Sequence, residues 1–212
     1  MRKEMKEIKI YKLEELKKEV KAKVIERFGE HLVERNFEIF QEEAGEILSS
    51  EYKMKDYQIE YSLSYSQGDG LCFYNENKSL LSYNIIKNKD IENANVFEKY
   101  CIEQLNNEQY LLLLEYLNCD YNFKIKKGWS NYSHAYTCLI DYEFYWSDNA
   151  EEEKRINDFI DELNEILFEK VYVKTCKKLE IIGYNCYNVS DEEVTDFIED
   201  MDYEFLEDGS IY

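Results

Sequence analysis

Residues Tyr61–Phe73 read YSLSYSQGDGLCF, an alternating run that ends on two glycines flanking one aspartate. Ile59, Tyr61, Leu63 and Tyr65 alternate with Glu60, Ser62, Ser64 and Ser66. Successive side chains of a strand point to opposite faces, so this period of two predicts a strand with one buried face. Gly68-Asp69-Gly70 supplies the positive-φ backbone that a tight hairpin wants, and Leu71–Tyr74 would then return antiparallel. The chain has seven glycines and no proline. Two glycines around one aspartate in so turn-poor a sequence imply a backbone requirement at that point.

The segments on either side alternate between helix and strand. Ile8–Tyr11 reads as a short opening strand. Leu13, Leu16, Val20, Val24, Ile25 and Phe28 follow at helical spacing, and the period resumes at Phe37, Phe40, Ala44, Ile47 and Leu48 after an interruption at Gly29. That pattern predicts one broken helix or two helices. A helical middle spans about Ile91–Leu117. Phe123 and Ile125 alternate with Lys124 and Lys126 in a third strand, and Gly128–Asn131 reads as a turn. In YSHAYTCLIDYEFYW, Tyr132, His134, Tyr136, Cys138, Ile140, Tyr142 and Phe144 would share one face of a long strand. A helix is expected from Ala150 to about Phe168, running into VYVKTCKKLEIIGYN without a legible boundary. Ser190 with Glu193 three residues on is a capping box for a helix reaching about Met201. Tyr203–Phe205 reads as a short strand, Asp208-Gly209 as a turn and Ile211-Tyr212 as its return. The expected class is α+β: one domain over 1–212, with an antiparallel sheet covered by helices in 1–188 and a small acidic α+β tail in 189–212.

Charge narrows the partners. The formal net charge is −20, from 46 acids against 26 bases. Met1–Lys55 holds 13 of each sign, whereas Val189–Tyr212 holds 10 acids and no base, half of the net charge. Such a chain repels phosphate backbones, so direct nucleic-acid binding is not expected. The charge serves solubility, or it fills a basic, nucleic-acid-binding groove on another protein. Twenty tyrosines and eleven phenylalanines suit half-buried strands and an adhesive surface. The six cysteines form no CxxC pair and no Cys/His cluster with metal-ligand spacing, so neither a metal nor a cofactor is expected. They read as reduced thiols in the cytoplasm, and Cys72 and Cys138 as small hydrophobes. The start has no apolar signal region and no run approaches a membrane span.

Two segments could converge on chemistry. If the hairpin and the later strand neighbour each other, Asp69 and His134 meet at one end of the sheet, with Gln67, Ser66 and Ser133 beside them. An aspartate orienting a histidine near a serine is material for acid–base or nucleophilic work. No nucleophile-elbow or phosphate-loop pattern accompanies it. The ordinary reading of the same residues is a turn and a hydrogen-bonded structural histidine.

YSQGDGLCF, YSHAYT and the ending YEFLEDGSIY, behind IYKLEELKKEVKAKVIERF, resemble an uncharacterised family of small bacteriophage and prophage proteins. That family is marked by a serine-glutamine-glycine-aspartate-glycine motif, a later serine-histidine strand and an acidic closing helix; some members carry antitoxin-like labels. The resemblance spans the chain except Asn75–Lys127. It implies a phage setting and a shared site for the Asp69 loop and His134, and it implies no reaction. The expected function is therefore an inhibitor of a bacterial defence system, anti-CRISPR activity included, working by direct binding in the host cytoplasm. Glu199, Asp200, Asp202, Tyr203 and Glu204 are its expected contact residues. The alternatives are an enzyme or small-ligand binder built on Asp69 and His134, and an antitoxin neutralising a partner toxin.

Overall fold

A computed structural model describes residues 8–64 and 68–212. The protein is α+β, and its contacts divide it into two compact units: Met1–Phe40 with Tyr184–Tyr212, and Gln41–Gly183. The last 29 residues thus share a unit with the opening of the chain.

In the first unit a 3-10 turn, Leu13–Glu15, precedes α1, Lys18–Ser50, which continues into the second unit. The helix is unbroken at Gly29, against the expected interruption. A glycine inside a helix costs about 1 kcal/mol relative to alanine. Burial of Val24, Phe28 and Leu32 on one stripe outweighs that cost. Helix α7, to use its place in the chain, spans Asp191–Asp200 and lays Val194 and Ile198 into the same core, with Phe205 fully buried beside them. Its start follows the capping box: the Glu193 N–H donates to Ser190 Oγ (3.2 Å), and the Ser190 N–H donates to Glu193 Oε2 (2.7 Å). The expected short strands shrink to single bridges, Tyr11 to Phe205 and Phe205 to Ile211. Gly209 turns the chain with φ +85, where a Cβ would lie 2.8 Å from Val20 Cγ1.

In the second unit β1, Gln58–Ser62, pairs antiparallel with β2, Gly70–Tyr74. The register sets Ser62 opposite Gly70, so the connection runs Leu63–Asp69 and is longer than the tight turn expected. Helices α2, Tyr83–Asn88, α3, Val96–Gln104, and α4, Asn107–Asn118, divide the helical middle. Asn95 and Asn106 cap α3 and α4 with capping boxes, which is why one apolar stretch yields separate helices. Strand β3, Phe123–Lys127, pairs antiparallel with β4, Cys138–Tyr142. The strands form two separate two-stranded sheets, β1-β2 and β3-β4, in place of the one sheet expected, and an isolated antiparallel bridge from Asn75 to Ile125 links them. Helices pack on these strands through aromatic rings: Tyr116 of α4 meets Phe123 at 5.5 Å, and Tyr172 meets Phe73 at 4.8 Å.

The long strand expected over Tyr132–Phe144 is corrected to β4 alone. Its partner β3 ends at Lys127, so the preceding residues have no ladder to join. They fold into a 3-10 turn, Ala135–Thr137, in which the Thr137 N–H and hydroxyl both donate to the His134 carbonyl (2.9 and 2.7 Å). Of the residues expected to share one strand face, Tyr132, Tyr136 and Phe144 are exposed whereas Cys138 and Ile140 are buried. The helix boundary that the sequence hides is a change of pitch. Helix α5, Ala150–Leu167, passes through a π-helical turn, Phe168–Tyr172, into α6, Val173–Asn185.

Candidate functional site

The hairpin end of the second unit places the two expected segments side by side. Gly70 has φ +151, and a Cβ there would lie 2.7 Å from His134 Cβ and 2.8 Å from Glu180 Oε1. Gly68 has φ +88, and its Cβ would meet the Tyr132 ring at 2.4 Å. The two glycines are thus the residues that let the hairpin press against Tyr132–His134. Glu180 on α6 fixes the same corner by accepting the Leu71 N–H at 3.0 Å.

Asp69 does not need His134 to account for its position. Its Oδ1 accepts from Ser62 Oγ at 2.7 Å, and its Oδ2 accepts from Ser64 Oγ at 3.1 Å, so the carboxylate ties the loop back onto β1. The His134 ring lies 6.3 Å from Tyr132 and 6.4 Å from Tyr136, between two exposed rings. Ser133 is half-buried beside it. Ser66 and Gln67 lie outside the described residues. The backbone approach of Gly70 to His134 brings the segments together, and Asp69 accepts hydrogen bonds from Ser62 and Ser64 of its own hairpin.

A cluster of stronger chemistry lies one step along the sheet. Lys127 Nζ donates to Glu60 Oε2 (2.9 Å), the Tyr132 carbonyl (2.8 Å) and Cys72 Sγ (3.3 Å), and its side chain is only 13% exposed. The Tyr74 hydroxyl donates to the other Glu60 oxygen at 2.6 Å. The Tyr74 and Lys127 hydrogen bonds hold Glu60 below the ordinary carboxyl value, and Glu60 in turn pushes Tyr74 up to about 12. Cys72 is held well below an ordinary thiol by the Cys138 thiol beside it, with the Lys127 ammonium adding to the effect. Cys138 is pushed up by the same bond to Cys72 and by burial. The Lys127 ammonium thus favours the charged form of Cys72, and Cys138 is the member of the pair that favours its proton. Cys72 is fully buried, so its nucleophile is shielded from bulk solvent.

Lys127 is not among the site residues expected from the sequence, although it continues the phase of Phe123 and Ile125 into the apolar side of β3. A lysine in register with buried residues is the signal that was present. Among the described residues no group of three or more His, Cys, Asp or Glu side chains is placed to hold a metal ion, and all six cysteines are free thiols.

The expected partner-binding residues fall in the first unit and are unevenly available. Glu199 and Asp200 are exposed at the end of α7. Asp202 and Glu204 already accept Lys12 Nζ, at 2.7 and 3.3 Å. Tyr203 packs edge-on against Phe28 with ring centres 5.0 Å apart. Comparison with protein-family models, curated proteins and solved structures finds no match to the chain.

Proposed function

We propose that the chain acts by binding another protein, as a phage-encoded inhibitor of a bacterial defence protein in the host cytoplasm, CRISPR-associated nucleases included. The observation that carries this reading is α7. Its apolar residues Val194 and Ile198 are consumed by the core, while Asp191, Glu192, Glu193, Asp196, Glu199 and Asp200 all face solvent. A rigid helix holding six acids outward is a fixed stripe of negative charge. Against a groove built to grip nucleic acid, such a stripe speeds encounter and selects the partner.

The core packing supports the same reading. Because Ser190 caps the helix and Lys12 and Lys17 pin Asp202 and Glu207, the acids are presented without the cost of ordering a loose tail. Glu199 and Asp200 carry the contact, and Tyr203 and Glu204 act as its supports. The second unit by itself exposes aromatic side chains, Trp129, Phe144 and Trp146, of the kind that anchor protein interfaces.

The test uses a purified defence nuclease complex and a labelled nucleic-acid duplex that it binds. The chain should displace the duplex competitively, and Glu199→Lys with Asp200→Lys should weaken displacement about tenfold or more through charge reversal. Displacement unaffected by the double substitution would refute the acidic-face reading.

A further inference from the structure

One cleft of the second unit runs against the charge of the whole chain. It encloses about 330 Å³ and is lined by Lys99, Lys170, Lys174 and Lys178 together with the rings of Tyr52 and Tyr100. Glu103 is the one acid in its wall. Four ammonium groups against one carboxylate leave a strongly positive hollow in a protein of net charge −20.

The hollow is built by the backbone. Lys170, Lys174 and Lys178 recur every four residues, so they stack along one side of the α5–α6 junction. Lys170 sits inside the π-helical turn Phe168–Tyr172. A π turn inserts a residue into the helical repeat and recurs at functional sites, where it re-aims side chains. Here it falls where the basic row begins. On the opposite wall the Val96 N–H donates to the Tyr52 carbonyl (3.1 Å), which fixes Tyr52 at the start of α3. Lys178 Nζ lies 5.8 Å from the centre of the Tyr52 ring. Both tyrosines are half-buried and line the cleft.

We infer that this cleft binds a nucleoside polyphosphate. The row of lysines matches a chain of phosphates, each a point anion for a point cation. The two half-buried tyrosines beside the lysines supply aromatic surface for a base, a contact that inorganic anions would leave unused. The volume lies at the lower end of the range for small-ligand sites. Long polynucleotides meet the repulsion of the surrounding acids, whereas a small anion enters the local field alone.

The test measures binding of ATP and of inorganic triphosphate by titration calorimetry, without divalent metal, at low and physiological salt. ATP should bind at one site per chain, more tightly than triphosphate, and weaken as salt rises. Lys170→Gln/Lys174→Gln/Lys178→Gln should lower ATP affinity about tenfold or more, while Lys9→Gln/Lys18→Gln/Lys23→Gln, which removes as much charge from exposed positions outside the cleft, should change it less than about threefold. Tyr52→Leu should lower affinity for ATP and leave triphosphate unchanged. Circular dichroism confirms that each variant is folded. Absence of saturable ATP binding, equal loss in the two triple variants, or equal affinity for ATP and triphosphate would overturn the assignment. Tighter binding of a single-stranded oligonucleotide at the same lysines would overturn it in favour of a polynucleotide.

Discussion

Replacing Gly70 with alanine tests the geometry that sets the hairpin against His134. The native φ of +151 is one that residues with a side chain rarely adopt. Holding alanine there costs about 1–3 kcal/mol in backbone strain. The new Cβ would also lie 2.7 Å from His134 Cβ, 2.8 Å from Glu180 Oε1 and 3.0 Å from His134 Cα. Relieving such contacts in a packed site costs about 1–3 kcal/mol more. Alanine also restricts the unfolded chain, which returns about 0.4–1 kcal/mol. The net expectation is a loss of about 2–4 kcal/mol. Gly45→Ala is the matched control: it lies in α1 of the same unit, and its Cβ would meet no atom within 4 Å. It should stabilise by about 0.5–1 kcal/mol. Tyr116 and Tyr172 are fully buried in this unit, so urea unfolding followed by near-ultraviolet circular dichroism reports on it. With a urea slope of about 2 kcal/mol/M, Gly70→Ala should lower the midpoint by about 1–2 M. A midpoint unchanged from the parent would refute the close approach of Gly70 to His134.

Other outcomes follow from the same contacts. Phe205→Ala should cost about 3–5 kcal/mol, because it empties the centre of the first unit's core; a change below 1 kcal/mol in calorimetric unfolding would deny Phe205 that place. Ser190→Ala should cost about 1 kcal/mol by removing the α7 cap, with Ser190→Asp restoring most of it. Glu60 is held below its ordinary value of 4.5, so the folded form binds fewer protons than the unfolded chain between the two values. Its contribution is therefore complete above about pH 4.5 and lost as pH falls through the lowered value, and Glu60→Gln should flatten the acid limb of stability against pH. Thiolate absorbance near 240 nm should titrate below the ordinary thiol range, disappear in Cys72→Ala and move to higher pH in Lys127→Met; identical titrations in all three proteins would place no thiolate at Cys72.

The legible parts of the fold are those governed by local rules. The β1–β2 pairing follows from period-two alternation, and the α7 start follows from Ser190 and Glu193, whose side chains bond within four residues of each other. The parts that misled depend on distant partners. Residues 132–137 alternate as a strand would, but β3 stops too early to pair with them. Gly29 looks like a break until the buried stripe on both sides of it is counted. The π turn at Phe168–Tyr172 coincides with a distant contact, the packing of Tyr172 on Phe73, where the Tyr172 hydroxyl accepts from the Phe73 N–H (3.3 Å) and donates to its carbonyl (3.1 Å). At the candidate site the sequence located the neighbouring segments but not the cluster beside them. Lys127 is separated from Glu60 and Cys72 by long stretches of chain, and only the packing of one hairpin beside the other brings them into contact.

The central claim is that the acidic face of α7 disables a host defence protein. Its most direct measurement is the plating efficiency of a defence-sensitive phage on cells that express the chain, with and without the defence system. The account predicts that expression restores plating only where the defence system is present, and that Glu199→Lys/Asp200→Lys abolishes the restoration while the variant remains folded and equally abundant. Plating that the parent chain fails to restore on any defence system, or that the charge-reversed variant restores as well as the parent, would contradict it.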